Sequence, residues 1–397
     1  MARFAFNPFR RDLPDWSAPE LAFVTAIRDR VQLPLHRALP GYAPTPLRDL
    51  AALARELDLG GLLVKDEADR FGLGAFKGLG ASFAVYSVLR RLWRDKTGAD
   101  LPPERFADPT SRTRLGALTF AAATDGNHGR AVAWTARLIG QRAVIFMPED
   151  TAPARIRAVA NEGAEVRRVA GTFDDCVAEC ARTAAREGWQ VIADTAYPGN
   201  LDLPGRIMTG YSTIFAEIAD EIDERPDAVF LPAGVGGIAA AGAASCVLRD
   251  GAARPLLVCV EPVESAGFLE SIVYGTGEPI AARGNQRSLM VGLCCGMPSL
   301  LAWPIVRDSV DLFLAIEDDE VPLAMRAYRR HGVVAGESGA ATLAGLIALL
   351  RRADLAPARE RLGLGLRSRV LVVNTEGATD PARYAQLVDA GPREESP

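Results

Sequence analysis

Gly74-Ala75-Phe76-Lys77-Gly78-Leu79-Gly80 sets a single lysine among small and apolar residues, shortly after the charged run Lys65-Asp66-Glu67-Ala68-Asp69-Arg70. A surface lysine usually has polar neighbours. In an apolar pocket, desolvation disfavours the ammonium, lowers its pKa and frees the amine to act as a nucleophile, as a Schiff-base lysine requires. The plainer alternative is a helix-entry lysine that reaches out to water. Leu79, Phe83, Tyr86, Leu89 and Trp93 follow at intervals of three to four. That spacing predicts an amphipathic helix over residues 77–96 and puts Lys77 at its start.

Working outward, strands and helices alternate. Strands are expected at residues 115–123, 143–147, 165–169, 190–193, 228–231, 256–260 and 369–373. Helices are expected at 129–139, 152–161, 173–187, 206–222, 239–248, 321–331 and 339–351. Upstream, a Pro-rich irregular arm fills the first 45 residues around one helix (19–31). A helix at 47–57 and a strand at 61–65 follow, and residues 96–114 read as a loop. The tail from residue 391 has the composition of disorder. This alternation argues for an α/β fold with parallel sheet wrapped by helices, where ligands sit beyond the carboxyl ends of strands.

Three strand-to-helix turns can carry chemistry. Thr124-Asp125-Gly126-Asn127-His128-Gly129 offers an acid or base in Asp125, an amide in Asn127 and glycines that admit a ligand to the backbone; it also reads as a helix cap. Pro232-Ala233-Gly234-Val235-Gly236-Gly237-Ile238 puts Gly234, Val235, Gly236 and Gly237 at a helix N-terminus, an anion site suited to phosphate. Val372-Val373-Asn374-Thr375-Glu376-Gly377 ends the last strand with polar groups, Asn374 and Thr375, that could meet a bound ring. Asp194, after the strand at 190–193, could grip a ligand ammonium or simply cap the strand end. A rival reading takes Gly234-x-Gly236-x-x-Ala239, with Glu261 after the next strand, as the fingerprint of an NAD-dependent oxidoreductase. It leaves Lys77 and the Asp125–Gly129 turn unexplained.

Composition narrows the field. The 397 residues are 49% hydrophobic and 24% charged with net charge −5, so nothing suggests nucleic acid or an anionic membrane as partner. His36, His128 and His331 are scattered, and the six cysteines (Cys176, Cys180, Cys246, Cys259, Cys294, Cys295) lack zinc spacing, so no metal site is expected. Reduced cysteines and the lack of an apolar leader at residues 1–7 lead to the expectation of a cytoplasmic protein.

Together, Phe76-Lys77-Gly78, Asp125-Gly126-Asn127-His128-Gly129 and Gly234–Gly237 resemble the motifs of the fold type II, tryptophan-synthase-like, pyridoxal-phosphate enzymes. The likeness runs from Pro44 to about Tyr384. Within that family, Tyr42-Ala43-Pro44-Thr45-Pro46-Leu47, Asp69–Lys77, Ala123–Gly129, Gly292-Leu293-Cys294-Cys295-Gly296 and Asn374–Asp380 are most similar to the diaminopropionate ammonia-lyases. Asp125 is the sharpest marker, because general dehydratases carry serine there. Two departures flank the lysine: Gly74 stands where the lyases usually have asparagine, and Gly80-Ala81 where they usually have two glycines.

The resemblance implies two three-layer αβα domains with largely parallel sheets. Residues 1–84 plus 206–397 would form a large cofactor-binding domain and residues 85–205 a small one, with the active site in the cleft between them. It implies pyridoxal phosphate on Lys77 as a Schiff base, its phosphate on Gly234–Gly237, its ring hydroxyl facing Asn127, and its ring nitrogen met by Thr375 or Asn374. A neutral partner at that nitrogen favours β-elimination over transamination. The implied reaction is α,β-elimination of D- or L-2,3-diaminopropionate to pyruvate and ammonia, with Lys77 and Asp125 as bases on opposite faces and a homodimer as the assembly. A serine or threonine dehydratase, or a β-replacement enzyme of the same fold, is the alternative.

Overall fold

Short apolar runs form the strands of the computed structural model, which describes residues 3–124, 126–171 and 173–389. Asp125 and the tail from 391 therefore lie outside the described residues. The strands are β1 (Arg3–Phe6), β2 (Leu47–Asp49), β3 (Gly61–Asp66), β4 (Thr119–Ala123), β5 (Arg142–Pro148), β6 (Glu165–Val169), β7 (Gln190–Val191), β8 (Ala228–Pro232), β9 (Leu256–Pro262), β10 (Leu312–Ile316) and β11 (Arg369–Asn374). They make a seven-stranded sheet, ordered β1-β10-β9-β8-β11-β3-β2, and a four-stranded sheet, ordered β6-β5-β4-β7. Only the edge strands β1 and β2 pair antiparallel among the described residues; the other pairings are parallel, as the alternation predicts.

Strand side chains alternate between two covered faces. On the large sheet, Leu63, Val229, Leu231, Cys259, Phe313 and Val373 pack toward the helices Lys77–Thr97, Asp202–Glu221 and Gly237–Asp250. Leu62, Val64, Phe230, Val258, Leu314 and Val372 pack on the other face against Glu320–Arg330 and Ala341–Arg351. On the small sheet, Phe120, Ala122 and Ile145 join the first of these cores, while Ala121, Val144 and Phe146 meet Cys180 from the helix Phe173–Glu187. Each sheet is thus the middle of three layers, and one continuous core joins the two.

Several local expectations are corrected. The N-terminal arm holds β1 and a second short helix, Leu33–Ala38. Residues 47–57 split into β2, antiparallel to β3, and a short helix Ala51–Glu56. The expected loop at 96–114 contains the helix Pro109–Leu115, capped by the Asp108 carboxylate, which accepts from the Thr110 N–H. Strand β10 and the helices Gly267–Tyr274 and Ala302–Ser309 were not expected.

The charged run before the lysine turns inward. Lys65, Glu67 and Arg70 are buried, and the two cations meet Glu217 of the Asp202–Glu221 helix: Lys65 Nζ lies 2.8 Å and Arg70 Nη2 2.7 Å from Glu217, while Arg70 Nη2 also lies 2.7 Å from Glu67. Losing one partner of such a network strands the other charge and costs about 3–5 kcal/mol. The cluster locks β3, which leads into the lysine turn, against that helix. Close packing does the same further on: a Cβ on Gly210 would lie 2.4 Å from the Leu79 carbonyl oxygen, and one on Gly80 2.5 Å from the Tyr211 ring. The lysine helix and the Tyr211 helix touch backbone to backbone.

Candidate active site

Four strands of the two sheets end at one cavity, as the rule for parallel sheets requires. After β4 come Thr124, Gly126, Asn127 and His128; after β7, Asp194 and Thr195; after β8, Gly234–Ile238; after β11, Thr375 and Glu376. Phe76 and Lys77 enter from the start of the Lys77–Thr97 helix, Tyr211 from the helix beside it, and Arg155, Val291–Leu293, Cys295 and Ser338 complete the wall.

Lys77 is the first residue of its helix, as the spacing predicts. Its Nζ donates to Asp194 Oδ2 at 3.1 Å and lies 5.6 Å from the centre of the Tyr211 ring. The expected fall in its pKa is not what the site produces. Burial pushes the ammonium down, but Tyr211, Asp194 and Cys295 outweigh it and hold Lys77 above the ordinary lysine value. Burial also raises the Asp194 carboxyl, yet His128, once protonated at acid pH, and the Lys77 ammonium reverse this and bring it to about 2. Burial pushes the Tyr211 hydroxyl up to about 12, and that oxygen has no hydrogen-bond partner among the described residues.

The glycine turn is shaped as the sequence suggests. Gly236, at φ +95°, precedes the first turn of the Gly237–Asp250 helix, whose leading N–H groups have no acceptor within the helix. A Cβ on Gly236 would lie 2.2 Å from Phe268 Cζ, and one on Gly234 3.2 Å from Cys295 Sγ. Only bare backbone fits there, which leaves the N–H groups and the helix dipole facing the cavity.

Asn127 opens the Asn127–Leu138 helix, and its Nδ2 donates to Glu376 Oε2 across the cavity. Glu376 Oε1 accepts from the Ser338 N–H at 3.0 Å. Thr375 Oγ1 donates to the Ser338 carbonyl at 3.4 Å and lines the cavity. Asn374 does not join them. It is fully buried, and its Nδ2 donates to Asp66 Oδ1 at 2.9 Å and the Val334 carbonyl at 3.1 Å. Of the two residues expected at the ring nitrogen, Thr375 alone reaches the cavity, because consecutive residues at a strand end point to opposite sides. Asp125 lies outside the described residues; Thr124 and Gly126 on either side of it line the wall.

The dinucleotide rival fails on Glu261. That carboxylate is buried, pushed up to about 8 by burial, and accepts the N–H groups of Phe268 and Leu269 at 2.8 Å each. It caps the Gly267–Tyr274 helix and is not free for a ribose hydroxyl.

Sequence reasoning missed Tyr211, Arg155, Thr195, Cys295, Ser338 and Glu376. Tyr211 shares the core spacing of Ile207, Ile214 and Ile218 and so reads as packing. Glu376 had a signal, its place beside Thr375 at the strand end. Among the described residues no group of His, Cys, Asp and Glu could hold a metal ion. The chemistry present is an amine, a bare-backbone anion cradle, an amide and a hydroxyl around one cavity. That set fits pyridoxal phosphate: aldehyde to Lys77, phosphate to the cradle, ring edge to Asn127 and Thr375.

Comparison with known proteins agrees. Residues 38–376 match the family model described as pyridoxal-phosphate dependent enzyme. The chain is 36% identical to the diaminopropionate ammonia-lyase of Salmonella typhimurium, covering 98% of each protein, and 36% identical to that of Escherichia coli K12 over 90% of each. Among solved structures, the holo diaminopropionate ammonia lyase of Escherichia coli superposes with a TM-score of 0.86 at 34% identity, covering 98% of this chain and 96% of that one. The same Escherichia coli enzyme in complex with an aminoacrylate-PLP azomethine reaction intermediate gives 0.84 at 34% identity over 98% and 97%.

Proposed function

Because the chain belongs to the pyridoxal-phosphate-dependent enzyme family, we propose that it is a diaminopropionate ammonia-lyase, converting 2,3-diaminopropionate and water to pyruvate and ammonia. The observation that carries this reading is the convergence of the Lys77 amine, the Gly234–Gly237 cradle and the Asp194 carboxylate on one cavity. Bound pyridoxal phosphate supplies an aldehyde for the amine and a sink for the electrons left when the α-proton departs.

The chain's own groups do the rest. The N–H groups after Gly234 would hold the phosphate. Asn127 would meet the ring hydroxyl, and the neutral Thr375 hydroxyl would meet the ring nitrogen without protonating it. The Lys77 amine would take the α-proton on one face. Asp125 takes it on the other, which would let both enantiomers react. Asp194, the partner of the Lys77 ammonium, holds the substrate's β-ammonium in its place, so that the amine leaves already protonated.

The same proposal divides the chain into residues 85–205 and residues 1–84 plus 206–397. The four-stranded sheet falls in the first and the seven-stranded sheet in the second, which supports the division. It also takes the protein to be a cytoplasmic homodimer. The six cysteines, read from the sequence as reduced, support the reducing compartment; separately, no helix among the described residues is long and apolar enough to cross a membrane.

Pyruvate or 2-oxobutyrate release from D- and L-2,3-diaminopropionate, serine and threonine tests the assignment. The diaminopropionates are expected to give the highest kcat/KM. A higher value for serine or threonine would make the protein a dehydratase instead.

A further inference from the structure

His128 is a titratable group of the cavity that the scheme above leaves unused. Its ring is 4% exposed and takes part in the cavity wall. Nε2 lies 2.7 Å from the Ile192 carbonyl oxygen, an acceptor only, so Nε2 carries the proton. Burial, with the Lys77 charge adding to it and Asp194 opposing, holds the imidazole below its ordinary range and therefore neutral. Nδ1 then presents a lone pair. It has no hydrogen-bond partner among the described residues, and it faces Asp194 Oδ2 at 4.0 Å.

Two acceptors facing each other across 4.0 Å repel unless a donor sits between them. In the free site Lys77 Nζ is on that same Oδ2, at 3.1 Å. An ammonium nitrogen about 2.9 Å from each acceptor would see them about 90° apart, near the spread of two of its own N–H bonds. A substrate hydroxyl has one hydrogen and no charge, and can satisfy only one of the two.

We infer that His128 Nδ1 and Asp194 Oδ2 form a paired-acceptor seat for the β-ammonium of the substrate, and that His128 is the residue that selects a 2,3-diamino acid over a 3-hydroxy amino acid. The inference rests on the functional reading above. Asp194 supplies the charge, and His128 supplies the second hydrogen bond, which the carboxylate alone cannot give from that side. His128 is fixed for this task from behind: the Ile192 carbonyl belongs to the segment after β7 that also carries Asp194.

The test uses the cofactor-loaded enzyme and two variants. His128→Gln keeps a donor near the Nε2 position for Ile192 and loses the Nδ1 acceptor. His128→Asn keeps an acceptor near Nδ1. In His128→Gln, kcat/KM for diaminopropionate relative to serine is expected to fall about 10- to 100-fold, the loss of one hydrogen bond to a charged group, and in His128→Asn to stay within about threefold of wild type. Nitrogen-15 NMR of the wild-type histidines is expected to show the His128 proton on Nε2. An equal fall on both substrates in His128→Gln, or a proton on Nδ1, overturns the inference. If wild type favours serine from the outset, the functional reading falls, and this inference with it.

Discussion

Asp194→Asn probes the charge on which the site is organised, because it removes the charge and keeps the shape. In the free protein the carboxylate lies 3.1 Å from Lys77 Nζ, with the two side chains 22% and 19% exposed. A hydrogen bond to a charged group contributes about 1.5–3 kcal/mol. The exposure of both partners puts this one at the low end, about 1.5–2 kcal/mol, or about 10- to 30-fold in an equilibrium. Two readouts follow. Uptake of pyridoxal phosphate by the apoprotein requires the free amine of Lys77. Asp194 is one of the groups that hold this ammonium above its ordinary value, against burial. Without it burial acts with less opposition, so the pH midpoint of uptake moves down and uptake at neutral pH becomes faster. In the loaded enzyme the substrate's ammonium loses its counter-charge, so kcat/KM for diaminopropionate falls about 10- to 30-fold and falls less for serine. The assays are cofactor absorbance against time across pH, and pyruvate release. An uptake midpoint that stays put or rises would refute the electrostatic account of Lys77.

Three further outcomes are expected. Gly236→Ala must hold φ near +95° and put a Cβ 2.2 Å from Phe268; we expect a loss of about 2–4 kcal/mol in stability and weaker cofactor binding by equilibrium dialysis, with far-UV circular dichroism unchanged. Asn374→Ala loses bonds to Asp66 and Val334; urea unfolding should show about 1–3 kcal/mol less stability while the cofactor dissociation constant changes less than about twofold. Asp194 sits at about 2 in the folded protein, below the ordinary carboxyl value of 3.8. Its contribution to apoprotein stability, at most about 2–3 kcal/mol, is present above that ordinary value and lost as pH falls toward 2; unfolding curves of wild type and Asp194→Asn should converge over that window.

The parts of the fold that were legible are those written in local pattern. The helix from Lys77 announced itself by spacing, and β8 and β11 by buried apolar runs that end in polar or glycine turns. Strand β1 was not legible, because Arg3–Phe6 is a strand only by pairing with residues 312–315, some 300 positions away. Leu47–Asp49 pairs with β3, and the helical pattern read there gave way to that tertiary contact. In the site, turn chemistry pointed to Lys77, Asn127 and the glycines. Tyr211 was hidden because its apolar surroundings match those of core residues, and His128 because nothing in its turn told a ligand-facing ring from a packed one. The sign of the Lys77 shift was missed for a related reason: sequence gives burial but not the carboxylate that arrives from β7. Gly74 also becomes intelligible. It sits at φ +71°, and a Cβ there would meet Thr379 and Arg130 only at ordinary distances of 3.5 and 3.7 Å. Asparagine tolerates that left-handed conformation better than most residues, so the departure from the lyases' usual residue leaves the backbone unstrained.

The central claim is that the amine at position 77 forms an imine with pyridoxal phosphate. Borohydride reduction of the loaded protein, proteolysis and peptide mass mapping test it directly. A pyridoxyl label on Lys77, absent when that residue is arginine, is the predicted result; a label on another lysine, or none, would contradict the account.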